Sequence, residues 1–97
     1  MPTFVLLTKL SKEGARQMGQ LSDSQRDFDL KLTECCPEAK RVASYVLLGA
    51  YDFLLIFDAP DAVTAAKVAL LANYFGLEAT QTLTAIPLDE LSRAMGR

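Results

Sequence analysis

Tyr51 and Asp52 form a polar pair between two of the most apolar stretches of the chain, residues 41–48 and 53–57. A carboxylate held in an apolar cavity can accept a proton from an acidic carbon or a phenol. Asp52 is therefore the first candidate for a catalytic base. Tyr45 is the second candidate, because strand alternation places it on the same side of a predicted hairpin as Asp52.

The same stretch also has a purely structural interpretation. A two-residue Gly49-Ala50 loop suits a type II′ hairpin turn, and residues at tight turns usually serve the turn itself. Tyr51 would then pack beneath a helix end, and Asp52 would accept hydrogen bonds from nearby backbone or from a neighbouring subunit. The two side chains point to opposite sides of the strand, so they act on one substrate only if a bulge redirects one of them.

Histidine is absent from the sequence. Its absence removes the commonest general base and metal ligand at neutral pH, and it excludes Ser-His-Asp and Cys-His catalytic arrangements. The five glycines are dispersed, so the sequence contains no glycine-rich phosphate loop. We therefore expect neither a metal site nor a bound cofactor.

The two cysteines, Cys35 and Cys36, lie near the predicted end of a helix. The partial negative charge of a helix C-terminus disfavours a thiolate there, although Lys40 and Arg41 could offset it. A disulfide between adjacent residues is strained, so we expect one packed thiol and one thiol in a loop. A redox role for either cysteine stays open.

Three further polar features remain, of which the first and the third have two interpretations each. Lys9, at the end of the first strand, is either an anion contact at the mouth of a cavity or a solvated strand end. Arg41 and Asp58 face each other across the predicted hairpin and favour a surface ion pair. The hydroxyl-rich strand at 80–84 either lines a cavity or forms an ordinary sheet edge.

Hydrophobic periodicity and punctuation residues predict the secondary structure. We expect strands at 3–8, 41–48, 51–58 and 78–86, a short helix from Ser11 to about Met18, a longer helix from a Ser22 N-cap to the residues before Pro37, a third helix from Asp61 to Gly76, and a terminal helix through Leu88, Leu91 and Met95. Within the third helix, Val63, Ala66, Leu70 and Tyr74 form one apolar stripe with Val68, Leu71 and Phe75 beside it, and we expect this wide stripe to be well buried.

The central hairpin has a definite predicted register. Val46 should lie opposite Phe53, and Ser44 opposite Leu55. The helix-facing side then carries Val42, Ser44, Val46, Leu48, Tyr51, Phe53, Leu55 and Phe57. The other side carries Arg41, Ala43, Tyr45, Leu47, Asp52, Leu54, Ile56 and Asp58. Because that second side is partly apolar, it is poorly suited to face water.

The predicted fold class is α+β, with the ferredoxin-like order βαββαβ, a four-stranded antiparallel sheet, two helices on one face and a short C-terminal helix. The uncovered face is best covered by a second copy, which gives a dimeric αβ-barrel. The cavity between two such sheets is the default ligand site. Its candidate ligand-binding residues are Tyr45, Asp52, Leu54, Ile56 and Lys9.

Length and composition fit one domain spanning residues 1–97. Hydrophobic residues make up 51% of the chain, and the net charge of −2 comes with ten scattered Lys and Arg residues. This charge distribution gives no footprint for nucleic acid. Neither a signal-peptide pattern nor an apolar run of transmembrane length is present, so we expect a cytoplasmic protein that does not enter a membrane.

Four blocks of the sequence resemble the GYD domain family: "MPTFVLLTKLSKEG", "LGAYDF", "DAPD" and "TQTL". The Gly-x-Tyr-Asp motif that names this family is matched by Gly49, Tyr51 and Asp52. The resemblance spans nearly the whole chain, and it implies a fold of the dimeric ferredoxin-like αβ-barrel group.

Two departures from the family pattern concern the ligand. The stretch "CCPEAKR" stands where relatives often have Gly-Gly-Lys, and Ala79-Thr80 stand where many carry an arginine. If that arginine binds an anion in relatives, this chain has a different ligand or none.

The resemblance and the residues leave three functions open. The chain is a homo-oligomeric module that binds a small, mostly apolar molecule between subunits, a cofactor-free enzyme that transfers protons on a small aromatic or lactone-like substrate, or a purely structural oligomer.

Overall fold

A computed structural model describes residues 1–10, 21–74 and 77–96 of the chain. The elements are β1 (Thr3–Leu10), α1 (Leu21–Cys35), β2 (Lys40–Val46), β3 (Phe53–Asp58), α2 (Ala62–Tyr74), β4 (Leu77–Ala85) and α3 (Leu88–Ala94). Their order confirms the predicted succession of strands and longer helices and the terminal helix. The predicted short helix from Ser11 to Met18 lies outside the described residues.

The four strands form one antiparallel sheet in the order β2-β3-β1-β4. This arrangement confirms the predicted ferredoxin-like α+β fold, because a helix connects each central strand to an edge strand: α1 connects β1 to β2, and α2 connects β3 to β4. The hairpin register is confirmed from Ala43 to Val46, with Val46 opposite Phe53 and Ser44 opposite Leu55.

The hydrophobic core lies between one side of the sheet and the helices α1 and α2. Phe4 and Phe57 are cross-strand partners whose rings stack with centroids 5.7 Å apart. The buried apolar residues are Phe4, Leu6, Leu32, Cys36, Leu55, Phe57, Ala59, Ala65, Val68 and Ala72. Alternate residues of β1 and β3 enter this core, which is the pattern of a sheet covered on one face.

The start of α1 differs from its prediction, whereas its end agrees. Leu21 is already helical, so Ser22 is a residue of the helix and not its N-cap. The helix ends at Cys35, and the Cys36 N–H still donates to the Leu32 carbonyl at 2.8 Å. Pro37 accounts for this end, because proline disfavours helical geometry in the residue before it.

The two thiols have opposite environments. Cys36 is completely buried and Cys35 is exposed, and both are free thiols. Burial, with a smaller effect of neighbouring Cys35, raises the pKa of the Cys36 thiol.

We expect iodoacetamide at pH 8 to alkylate Cys35 in the folded protein and Cys36 only after unfolding. Mass spectrometry should detect one label per native chain, and two rapid labels would contradict the packing.

The N-terminus of α2 is capped by Asp61, as its predicted start requires. The Asp61 Oδ1 atom accepts a hydrogen bond from the Thr64 N–H at 2.8 Å. This bond, helped by the Thr64 side chain, holds the pKa of the Asp61 carboxyl below its ordinary value of 3.8.

We expect Asp61→Ala to lower the melting temperature at pH 7, because the cap is lost. Since the carboxyl pKa is lower in the folded chain than in the unfolded chain, the stabilisation is present above pH 3.8 and is lost as the pH falls through the folded value. The melting difference between wild type and Asp61→Ala should therefore shrink below about pH 4. Asp61→Asn keeps an acceptor oxygen that does not titrate and is the matched control. A difference that stays constant down to about pH 2 would contradict this assignment.

The buried face of α2 is only partly the predicted one: Val68, predicted beside the main stripe, is completely buried. Thr64, Ala65, Val68 and Ala72 are buried, whereas the predicted stripe of Val63, Ala66, Leu70 and Tyr74 is exposed. Ala65, Val68 and Ala72 belong to the same buried cluster as the large core residues of β1 and β3. Periodicity could not choose between the two faces because both are apolar. The exposed residues form what we call the outer stripe of α2.

The turn between β2 and β3 is wider than predicted. The strands end at Val46 and restart at Phe53, and the Leu47 N–H donates to the Asp52 carbonyl at 2.8 Å, leaving residues 48–51 as the loop. Gly49 has a φ of 143°, a region that side chains beyond glycine rarely adopt. Gly49 therefore does serve the turn, in a four-residue loop.

The predicted ion pair between Arg41 and Asp58 is wrong. The β2–β3 register shifts between Arg41 and Ala43, so Val42 is an extra residue and Lys40 lies opposite Asp58. This bulge turns Arg41 towards α1, where its Nη1 atom lies 3.3 Å from the Asp29 carboxylate. Asp58 instead accepts a hydrogen bond from the Thr3 hydroxyl at 2.6 Å.

The edge strand β2 is exposed on both sides. Val42 and Val46 were predicted to meet the helices, but their exposed fractions are 58% and 68%. The helices cover the two central strands and leave this edge uncovered. Among the residues described, no helix has the length and apolar character needed to cross a membrane.

Candidate functional site

The side of the sheet opposite α1 and α2 is the candidate site, and we call it the open face. Its side chains lie in rows that cross the strands in the order β2, β3, β1, β4. The rows are Tyr45, Leu54, Leu7 and Gln81; then Ala43, Ile56, Val5 and Leu83; then Lys40, Asp58, Thr3 and Ala85. The centre of the open face is thus apolar, and its polar groups stand at the ends of the strands.

The described part of the chain leaves the apolar centre of the open face partly accessible. Val5, Leu7, Leu54 and Ile56 are only half-buried, and the terminal helix has no buried residue. The C-terminal segment therefore does not cover the open face. Four large aliphatic side chains in two adjacent rows form a surface that water solvates poorly.

A hydrogen bond between Tyr51 and Gln81 lies at one end of the open face. The Tyr51 hydroxyl donates to the Gln81 Oε1 atom at 2.8 Å. Because β1 lies between β3 and β4, this bond extends over β1 from the hairpin loop to the far edge strand. The Thr3–Asp58 bond lies at the opposite end, so both ends carry a polar pair.

Tyr51 therefore does not occupy the position predicted for it. Strand alternation placed it beneath a helix end, on the side opposite Asp52. The wide loop and the bend at Asp52 redirect it to Gln81, which shares a row with Leu7 on the open face. The sequence analysis predicted that Tyr51 and Asp52 point to opposite sides of the strand unless an irregularity redirects one of them, and the wide loop is such an irregularity.

Asp52 fastens the hairpin to β1. Its N–H donates to the Thr8 carbonyl at 2.8 Å, and its Oδ2 atom accepts the Leu10 N–H at 2.8 Å. A carboxylate that holds a backbone N–H is already engaged, which suits a structural role. It lies at the margin of the open face and not at its centre.

The remaining candidate residues are distributed unevenly. Tyr45 and Leu54 are cross-strand partners, and Ile56 lies in the next row, so these three share the open face. Lys9 is exposed near the end of β1, opposite Glu78 in the register and beyond the bulge between β1 and β4. The structure thus brings together the apolar candidates and keeps the charged ones at the margin.

The GYD domain matches residues 4–95. The chain belongs to the GYD domain family. A Thermus thermophilus protein named "glutamine synthetase and cystathionine beta-lyase binding protein" is similar to this GYD domain, with 35% identity over 91 residues. The match covers 94% of this chain and 95% of that protein.

Solved structures share the fold of this GYD domain. MtbAldR has a TM-score of 0.62 at 20% identity, covering 89% of this chain and 53% of that one. A hypothetical protein from Pyrococcus horikoshii has a TM-score of 0.55 at 19% identity, covering 90% of this chain and 92% of that one. The GYD domain spans about half of MtbAldR. At these identities the likeness concerns the fold alone.

Sequence reasoning missed half of the open face of this GYD domain. It assigned sides only within the hairpin, so Val5, Leu7, Gln81 and Leu83 were not identified. The alternation of residues 3–8 indicates which residues of β1 share a face. Assigning Gln81 and Leu83 to the same face requires the strand order, which places β4 beside β1. The described residues contain no cluster of three or more Cys, Asp or Glu side chains able to hold a metal ion.

Proposed function

We propose that this GYD domain is a non-catalytic binding module that pairs with a second copy through the open face and binds other proteins. The observation that carries the proposal is the apolar centre of that face, with Leu7, Leu54, Ile56 and Val5 in adjacent rows. A sheet face of this composition requires a cover, and an identical face provides a self-complementary one.

The total exposed area supports pairing. The chain exposes 6645 Å², whereas a compact monomer of this mass exposes about 5,500 Å², leaving an excess of about 1,100 Å². A standard specific interface removes about 800 Å² per partner. The excess is therefore large enough for one interface between copies.

The polar groups favour a binding role over catalysis. Asp52, the first candidate base, is engaged by a backbone N–H, and Tyr51 is engaged by Gln81. Tyr45, the second candidate, lies in a row with Leu54 and Leu7. A general base needs a partner group that positions the substrate proton, and the centre of the open face offers aliphatic side chains instead.

Binding to other proteins is supported by the relative from Thermus thermophilus, whose name describes a protein that binds two enzymes. Once two open faces pair, a protein ligand needs a different apolar surface. The outer stripe of α2 provides one, since Val63, Leu70 and Tyr74 are exposed on the opposite side of the sheet. We expect the bound protein to contact this stripe.

Biolayer interferometry with the immobilised full chain tests protein binding. Glutamine synthetase and cystathionine β-lyase from the source organism are the two analytes, because the relative is named for them. We expect saturable binding of at least one enzyme, at least about tenfold weaker for Leu70→Glu. Thr33→Glu, an exposed change on α1, is the matched control. Absence of binding by both enzymes at micromolar concentration would contradict this role.

A small apolar molecule held between the copies is the second candidate function. The observation in its favour is the Tyr51–Gln81 pair at the end of an apolar row, since a pocket of this kind combines aliphatic walls with a few polar groups. Native mass spectrometry of freshly purified protein tests it. A co-purifying mass on the dimer would support it, and a dimer of two chains without added mass would contradict it.

The free thiols Cys35 and Cys36 suit a reducing compartment, and we place the module in the cytoplasm.

A further inference from the structure

The C-terminal segment from Ile86 to Met95 projects from the sheet with its apolar side chains exposed. The exposed fractions are 62% for Ile86, 79% for Leu88 and 70% for Met95, and α3 has no buried residue. The chain extends 51 Å along its longest axis. Its radius of gyration is 14.4 Å, against about 12.5 Å for a compact domain of this length.

An isolated helix of this size is not stable alone. α3 has seven residues, and helices shorter than about 12 residues are marginal in water without packing. Leu88, Leu91 and Met95 recur at helical spacing and form one apolar side. The helix therefore requires a surface to pack on, and the described part of its own chain does not provide one.

Pairing of two open faces places that surface within reach. A two-fold axis that runs along the strands between the sheets reverses their left-to-right order, so β4 of one copy lies over β2 of the other. Because Ala85 and Lys40 end the same row, the end of β4 lies over the start of the second copy's β2. Packed sheets are about 10 Å apart, which matches the length of about 10 Å for α3.

The charges of the two segments are complementary. Asp89 and Glu90 are exposed in the first turn of α3. The start of β2 carries exposed Lys40, and Val42 two residues later has 58% of its surface exposed, whereas Arg41 is paired with Asp29 of α1. Within one chain, β2 and β4 are the opposite edges of the sheet, about 14 Å apart, so α3 follows the strand that lies farthest from its own Lys40.

We propose that α3 of each copy docks on the start of β2 of the second copy, with Glu90 or Asp89 against Lys40 and Leu88 against Val42. This inference rests on the pairing proposed above and names the contact that completes it. The sheet alone offers roughly 400 Å² of planar area per copy, given strand spacing and length. The exchanged helices add the exposed apolar surface of Leu88 and Met95 to this sheet contact, towards the roughly 800 Å² of accessible surface that a stable interface removes per partner.

Charge reversal in the full-length protein tests the contact. Sedimentation equilibrium at low salt measures the dimer dissociation constant of Lys40→Glu, Glu90→Lys and the double variant. Each single variant should weaken the dimer by about 3–20-fold, because the contact occurs twice. The double variant should return to within about threefold of wild type, because the charges are exchanged. Glu34→Lys, an exposed reversal on α1, is the control and should not restore Lys40→Glu.

A chain that ends at Ile86 gives a second test that does not depend on charge. We expect its folded core to remain, because α3 buries nothing, while the dimer weakens at least about tenfold. A wild-type dimer whose dissociation constant is unchanged by both the truncation and the reversals would overturn the exchanged helix and leave the sheet pairing intact. A wild-type chain that is monomeric at 100 µM, a concentration on the order of weak-dimer constants, would overturn the pairing and this inference together.

Discussion

Ile56→Glu should convert the paired protein into folded monomers. Ile56 lies in the central row of the open face, between Ala43 and Val5. The variant places one carboxylate from each copy in an apolar interface without a basic partner, and burying an unpaired charge is costly. We expect the dissociation constant to rise at least about 100-fold, or about 3 kcal/mol. Analytical ultracentrifugation across a concentration series measures it.

Leu70→Glu is the matched control for this prediction. Leu70 is 69% exposed on the outer stripe of α2, on the other side of the sheet. This variant should keep the wild-type dissociation constant while it weakens binding of the protein ligand. Thermal melting and circular dichroism should show that both variants are folded. Equal weakening of the dimer by both variants, or by neither, would contradict pairing through the open face.

Asp52→Ala should destabilise the folded chain by about 1.5–3 kcal/mol, the range for loss of a hydrogen bond to a charged acceptor. The variant leaves the Leu10 N–H without the Oδ2 acceptor that holds it at 2.8 Å. It also loosens the junction at which Asp52 donates to the Thr8 carbonyl. Urea unfolding followed by circular dichroism measures the change in the free energy of unfolding.

Two further substitutions distinguish a structural role of Asp52 from a role in binding or catalysis. Asp52→Asn keeps an acceptor oxygen and should lose at most about half as much stability. Asp27→Ala removes an exposed carboxylate from α1 and should have almost no effect. If Asp52→Ala retains wild-type stability and yet loses a measured activity or ligand, Asp52 is a site residue and its structural assignment fails.

The order of the elements could be predicted from the sequence because particular residues mark where elements begin or end. Pro37 ends α1, Asp61 begins α2, and Gly49 marks the hairpin. The register that pairs Val46 with Phe53 was also predictable, since strand alternation leaves few choices. The buried face of α2 was predictable only at Val68: large apolar residues suggested one side, whereas the buried side also carries the small residues Ala65 and Ala72.

The candidate site was predictable only in part, for reasons of geometry. Tyr45, Leu54 and Ile56 follow from alternation within one hairpin. The direction of the Tyr51 side chain depends on the length of the hairpin loop, and that of Arg41 depends on a single-residue bulge. The residue types alone indicate neither the loop length nor the bulge. The Tyr51–Gln81 bond joins positions 30 residues apart, so it required the strand order.

The central claim is that the open face of one chain packs on the open face of another. Filtered NOE spectroscopy on a mixture of ¹³C-labelled and unlabelled chains tests it at the level of single methyl groups. We expect intermolecular cross-peaks from the methyls of Ile56, Leu54 and Val5 to aliphatic protons of the second chain. Cross-peaks confined to the outer stripe of α2, or open-face methyls that contact only water, would contradict the claim.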